Sequence, residues 1–103
     1  EVKGRTCVIY DDMIDTGGTV VKATEALLAA GARSVRVAAT HPVFSADAAD
    51  RLQRGPLMEV VVTDTIPLAR EKHFEKLTIV SVSKLFADAI SRIHENRSFQ
   101  GLF

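Results

Sequence analysis

Residues 6–19 read TCVIYDDMIDTGGT, Thr6 to Thr19, and this stretch decides the fold. Thr6 to Tyr10 is a short run of β-formers that ends on the acidic pair Asp11 and Asp12. Such a run predicts a buried strand. Met13 to Thr19 follows as a glycine loop. From Thr19 to Ala30, Val20, Ala23, Leu27 and Ala30 recur at helical spacing, with Val21 and Leu28 beside them. That spacing predicts an amphipathic helix, and Gly31 is a natural stop for it.

Working outward, the pattern repeats. Val35 to Ala39 predicts a second strand, which His41-Pro42 is expected to interrupt. Ser45 is placed to cap a helix over Ala46 to Arg54, with Asp47 in its first turn and Gly55-Pro56 as its end. Met58 to Thr63 predicts a third strand, residues 68–76 a polar loop, and Leu77 to Val82 a fourth strand. Ser83 is placed to cap a last helix, Lys84 to Glu95, whose Leu85, Phe86, Ala89, Ile90 and Ile93 form one stripe. Two phenylalanines in the tail, Phe99 and Phe103, predict that it docks on this domain or on a partner. Apolar strands alternating with helices imply an α/β fold, a three-layer parallel sheet covered on both faces with right-handed crossovers. Ligands in such sheets bind beyond the carboxyl ends of the strands, here Asp11–Thr19, Thr40–Pro42 and Thr63–Thr65.

Composition narrows the function. The chain has 103 residues, 47% hydrophobic and 25% charged. That is a single domain, able to bury roughly 65% of its unfolded surface. Thirteen basic and 13 acidic residues give zero net charge, against a nucleic-acid or anionic-membrane binder. One cysteine excludes an intrachain disulfide and a Cys-rich zinc site, and points to the cytosol. No apolar run approaches the ~20 residues of a membrane span. The chain opens at Glu1 rather than Met and reads as a piece of something longer.

The chemistry concentrates in the glycine loop. A helix start offers free N–H groups and a positive dipole end. Gly17 and Gly18 let an anion approach the main chain, and Thr16 and Thr19 add hydroxyl donors. This is a phosphate cradle without a lysine. It lacks the Gly-Lys-Ser/Thr ending of a Walker loop and the Gly-x-Gly-x-x-Gly spacing of a dinucleotide site. Asp11 and Asp12 point to opposite sides of a strand, so one reaches the ligand and the other supports the loop. A carboxylate can accept from two adjacent sugar hydroxyls, so cradle and acid together suit a phosphorylated sugar. Asp15 would repel a phosphate, and is expected either to brace the loop or to share a magnesium ion.

The remaining candidates carry weaker signals. Cys7 reads as a buried inert thiol, and His73 and His94 lack partners at metal-ligand spacing. His41 is expected to fix a turn rather than touch a ligand. Asp64 and Thr65 are expected either to line the site or to brace the neighbouring loop.

Val8 to Thr19, VIYDDMIDTGGT, resembles the phosphoribosyl-diphosphate motif of the phosphoribosyltransferase-like fold, and its Asp-Asp-Met-Ile-Asp-Thr form is similar to that of ribose-phosphate pyrophosphokinases. ATHPVFS over residues 39–45, VTDTIP over 62–67 and the Leu102-Phe103 ending extend the resemblance to essentially the whole chain. The resemblance implies a phosphoribosyltransferase-like sheet incomplete at its N-terminal side, residues 1–103 being the C-terminal part of that domain. It implies transfer of pyrophosphate from ATP to ribose 5-phosphate, giving PRPP and AMP, in a cytoplasmic homo-oligomer of dimers built into hexamers. By the same match Asp15, Thr16, Gly17, Gly18 and Thr19 hold the 5-phosphate, and Asp11, with Asp12 in support, holds the ribose. Mg2+ is implied as cofactor, with its ligands, the ATP site and the catalytic residues upstream of this segment. The segment alone is therefore expected to bind ribose 5-phosphate weakly and not to turn over. Family members often carry alanine where this chain has Gly17, and glycine is expected to loosen the loop. A phosphoribosyltransferase and a non-catalytic regulatory homologue remain the alternatives.

Overall fold

A computed structural model describes residues 1–102 of the chain. Four strands, β1 (Thr6–Ile14), β2 (Ser34–Pro42), β3 (Glu59–Thr63) and β4 (Leu77–Val80), form one sheet in the order β1-β2-β3-β4. Every neighbouring pair is parallel. Helix α1 (Gly18–Ala29) joins β1 to β2 and α2 (Ala48–Arg54) joins β2 to β3. A single 3-10 turn, Arg70–Lys72, lies between β3 and β4, and α3 (Ser83–His94) follows β4.

Sequential strand order has a steric consequence. Right-handed crossovers between successive neighbours place their helices on the same face of the sheet. The burial pattern agrees. Val35, Val37 and Ala39 on β2 and Val60 and Val62 on β3 are buried, while the residues between them are half-buried. The core joins these to Ile14, Val20, Phe44, Ala48, Leu52 and Leu57. The opposite face is open, with Val8 64% and Tyr10 73% exposed. A polar ladder crosses it: Arg36 donates to Glu59 at 3.3 Å, and Thr78 donates to the other Glu59 oxygen at 2.8 Å. The expected covering of both faces is thus met on one face. The described residues supply the sheet and one helical layer, and α3 buries none of its residues.

Several expected boundaries move. β1 does not stop at Tyr10 but continues through Asp11 and Asp12 to Ile14, because Met13 pairs with His41 and Ile14 with Pro42. His41-Pro42 does not interrupt β2 either. The residue before proline prefers extended backbone, which suits a strand, and Pro42 is its last residue. α2 begins at Ala48 after Asp47, not at Ala46. Ser45 instead spends its N–H on the Asp15 carbonyl. Ser83 lies inside α3 after Val82 and makes no cap bond. β4 ends at Val80, so Ser81 and Val82 belong to the turn into α3. The stretch 68–76, read as polar loop, sends Leu68 and Phe74 to the core, where the Phe74 ring lies 5.9 Å from that of Phe44. Gly31, with φ +102°, closes α1 as expected, with the Gly31 and Ala32 N–H groups bonded to Leu28 and Leu27.

In the tail, Phe99 is 46% exposed and so is not buried on this domain, and Phe103 lies outside the described residues. Arg92 instead holds the tail to α3 by donating to the carbonyls of Ser98 and Gln100 at 3.3 and 2.8 Å.

Candidate functional site: the loop between β1 and α1

The site lies at the carboxyl end of β1, where α1 begins. Asp11, Asp15, Thr16, Gly17 and Thr19 line one cleft, together with Met13, Ile14 and Val20. Asp11 pairs with Ala39, a core-side residue, and so faces the helical side. Asp12 faces the other way, and its N–H donates back to the Asp11 carboxylate at 2.8 Å. Gly18 is the first residue of α1. Of the seven residues singled out in the sequence, five therefore meet in the cleft, and Asp12 and Gly18 adjoin it.

What organises the cleft is the direction of three successive carbonyls. The Ile14 carbonyl accepts from the N–H groups of Val43 and Phe44 at 3.0 and 3.1 Å, and the Asp15 carbonyl accepts from Ser45 N–H at 2.9 Å. The Thr16 carbonyl accepts from Arg51 Nη1 at 2.8 Å. All four bonds come from one side, the segment leading into α2 and α2 itself. In a trans peptide the C=O and the following N–H point in opposite directions. Holding these carbonyls back therefore turns the N–H groups of Asp15, Thr16 and Gly17 away from that segment. The first turn of α1 adds its own unpaired donors at the same end.

Gly17 sits in the left-handed region at φ +84°, just before α1. A Cβ there would stand 3.2 Å from Leu52 Cγ. Gly17 thus lies against a fully buried leucine of α2 and permits a tight turn.

Beside the cleft, a hydroxyl network ties the strand ends together. Thr63 Oγ1 donates to the Thr40 carbonyl at 2.6 Å, and His41 Nδ1 pairs with Thr65 Oγ1 at 2.8 Å. His41 thus ties the end of β2 to the turn that follows β3. Asp64 braces: its carboxylate accepts the Val82 N–H at 2.8 Å. That bond, together with Ser81, holds its carboxyl below the ordinary value of 3.8. Cys7, expected to be buried, is half-buried at the edge strand β1. Among the described residues no three His, Cys, Asp or Glu side chains gather to hold a metal. No helix there is long and apolar enough to cross a membrane.

Sequence reasoning missed Arg51 and Leu52. Both lie in a short helix read only for its ends, and no local pattern announces a bond to a loop 35 residues away.

An all-parallel α/β sheet with a glycine loop between its first strand and first helix is the architecture of a phosphoribosyltransferase-like domain. The chain belongs to the family described as phosphoribosyl synthetase-associated domain, which matches residues 1–103. It is 52% identical over all 103 residues to the ribose-phosphate pyrophosphokinase of Caldanaerobacter subterraneus subsp. tengcongensis, covering 33% of that protein. It is equally 52% identical to the ribose-phosphate pyrophosphokinase of Mycobacterium leprae, covering 32% of it. Its structure matches that of phosphoribosylpyrophosphate synthetase from Mycobacterium smegmatis with a TM-score of 0.90 at 46% identity, over 92% of this chain and 32% of that one. The chain thus spans about a third of the length of these relatives.

Proposed function

We propose that the chain is the ribose 5-phosphate-binding part of a ribose-phosphate diphosphokinase, which passes pyrophosphate from ATP to ribose 5-phosphate to give PRPP and AMP. The observation that carries this reading is the set of three carbonyls of Ile14, Asp15 and Thr16, all held from behind. The N–H groups of Asp15, Thr16 and Gly17, with the Thr16 and Thr19 hydroxyls, then receive the 5-phosphate. Asp11 accepts from the ribose hydroxyls and Asp12 supports it. Gly18 opens the helix whose dipole end faces the anion. Residues 1–103 are, on this reading, the C-terminal part of one phosphoribosyltransferase-like domain.

The relatives' names support the reaction class, and the fraction of them that this chain spans supports placing ATP, Mg2+ and the catalytic groups on another part of the protein. Magnesium would supply charge neutralisation of the transferred phosphates. What this chain supplies is orientation, presenting the sugar's 1-hydroxyl at the open end of the cleft. The protein is then a cytoplasmic homo-oligomer.

A graft tests this. The matching third of the Mycobacterium smegmatis synthetase is replaced by this chain, and AMP release is followed from ATP plus ribose 5-phosphate. The reading expects turnover that needs both substrates. A folded graft that binds ATP and releases no AMP contradicts it. The 103-residue chain alone is expected to release none.

A further inference from the structure

The loop's three carbonyls are held by two kinds of donor, and one carbonyl differs from the others. Ile14 and Asp15 are held by main-chain N–H groups, which come with the path of the backbone. Thr16 is held only by a side chain, the Arg51 guanidinium, through Nη1 at 2.8 Å. Its other terminal nitrogen, Nη2, lies 3.1 Å from Asp47 Oδ1, one helical turn earlier. The planar guanidinium is therefore gripped at one end by Asp47 and spends the other on the loop. Below the same peptide, Leu52 fills the space a Cβ on Gly17 would need.

We propose that Arg51 is a positioning residue for this site: it fixes the Thr16–Gly17 peptide so that the Gly17 N–H faces the anion, while Asp47 aims it. The proposal rests on the reading of the loop as a phosphate cradle. A peptide between a threonine and a left-handed glycine rotates readily, because glycine accepts both signs of φ. Rotation would present the Thr16 carbonyl oxygen to the phosphate, replacing attraction by repulsion. The guanidinium also places a full positive charge behind a loop that carries Asp11, Asp12 and Asp15. Arg51 does not line the cleft, so it acts through the loop and not on the ligand.

The test compares Arg51→Met and Arg51→Lys with Arg54→Met in the purified protein. Arg54 lies on the same helix and pairs with Asp50, so its variant makes the same charge change away from the loop. Ribose 5-phosphate is titrated by calorimetry, and circular dichroism reports the fold. Arg51→Met is expected to bind about tenfold more weakly, the scale of one charge-assisted hydrogen bond. Arg51→Lys keeps a donor and is expected to recover part of that loss, and it stands in if the methionine variant does not fold. Arg54→Met is expected to bind like the unchanged protein. In the free protein, the Gly17 amide nitrogen and Thr16 carbonyl carbon resonances move in Arg51→Met and not in Arg54→Met. Unaltered resonances there overturn the positioning role whatever the ligand does. Equal affinity of Arg51→Met and the unchanged protein overturns it as well. An unchanged protein that binds no ribose 5-phosphate is a different result, which overturns the cradle reading itself.

Discussion

The Asp64 carboxylate accepts the main-chain N–H of Val82 at 2.8 Å, so the residue after β3 holds the turn that leads into α3. The bond favours the ionised acid, and with Ser81 it lowers the pKa below 3.8. A lowered folded-state value means that the stabilisation is fully present above 3.8, and is lost as the pH falls through the folded-state value. Asp64→Asn keeps an acceptor for Val82 but removes the titration. Its stability, followed by urea unfolding between neutral and strongly acidic pH, is expected to fall less steeply below about pH 4 than that of the unchanged protein. Identical acid limbs would remove Asp64 from the account.

Leu52 is 0% exposed and lies under Gly17. Leu52→Ala opens a cavity in the core and takes away the surface against which the loop turns. It is expected to cost about 2–5 kcal/mol in denaturant unfolding. Ribose 5-phosphate affinity is expected to drop in the same variant, measured where the protein is still folded. A variant that loses stability yet binds at full strength would separate the loop from α2.

Asp11 offers a way to separate sugar from phosphate. It lines the cleft but bears a charge that repels an anion. Asp11→Asn is expected to weaken ribose 5-phosphate about tenfold through poorer acceptance from the ribose hydroxyls. Inorganic phosphate is expected to bind no more weakly, because a like charge has been removed. Equal weakening for both ligands would contradict the assignment of Asp11 to the ribose.

β1 is an edge strand, and Val8 and Tyr10 stand on the open face beside that edge. Such a surface invites pairing. Sedimentation velocity is expected to show association that grows with concentration and weakens in Val8→Lys and Tyr10→Lys. A chain that remains monomeric throughout would show that this face is tolerated bare.

The sequence made the local part of the fold legible. Alternating apolar runs and a glycine loop announced parallel strands and α1, because periodicity and turn chemistry act within a few residues. Strand ends were not legible. Asp11 to Ile14 stay in β1 because they pair with Ala39 to Pro42, and that energy comes from a distant segment. Phe74 looked like part of a charged loop because its packing partner is Phe44, some thirty residues earlier. The stripe on α3 was correctly read as apolar, yet Phe86, Ile90 and Ile93 stay more than half exposed, since nothing among the described residues packs against them. The candidate site was legible as a set of residue types. Its orientation was not, because Val43, Phe44, Ser45 and Arg51 supply it from across the fold.

The central claim is that the turned-back carbonyls leave a cradle for a sugar's 5-phosphate. Amide NMR of the protein during titration with ribose 5-phosphate, against ribose as control, tests it most directly. The account predicts saturable shifts of Asp15 to Val20 with the phosphate ester and none with ribose. Amides that stay in place up to millimolar ribose 5-phosphate in a folded sample would contradict it.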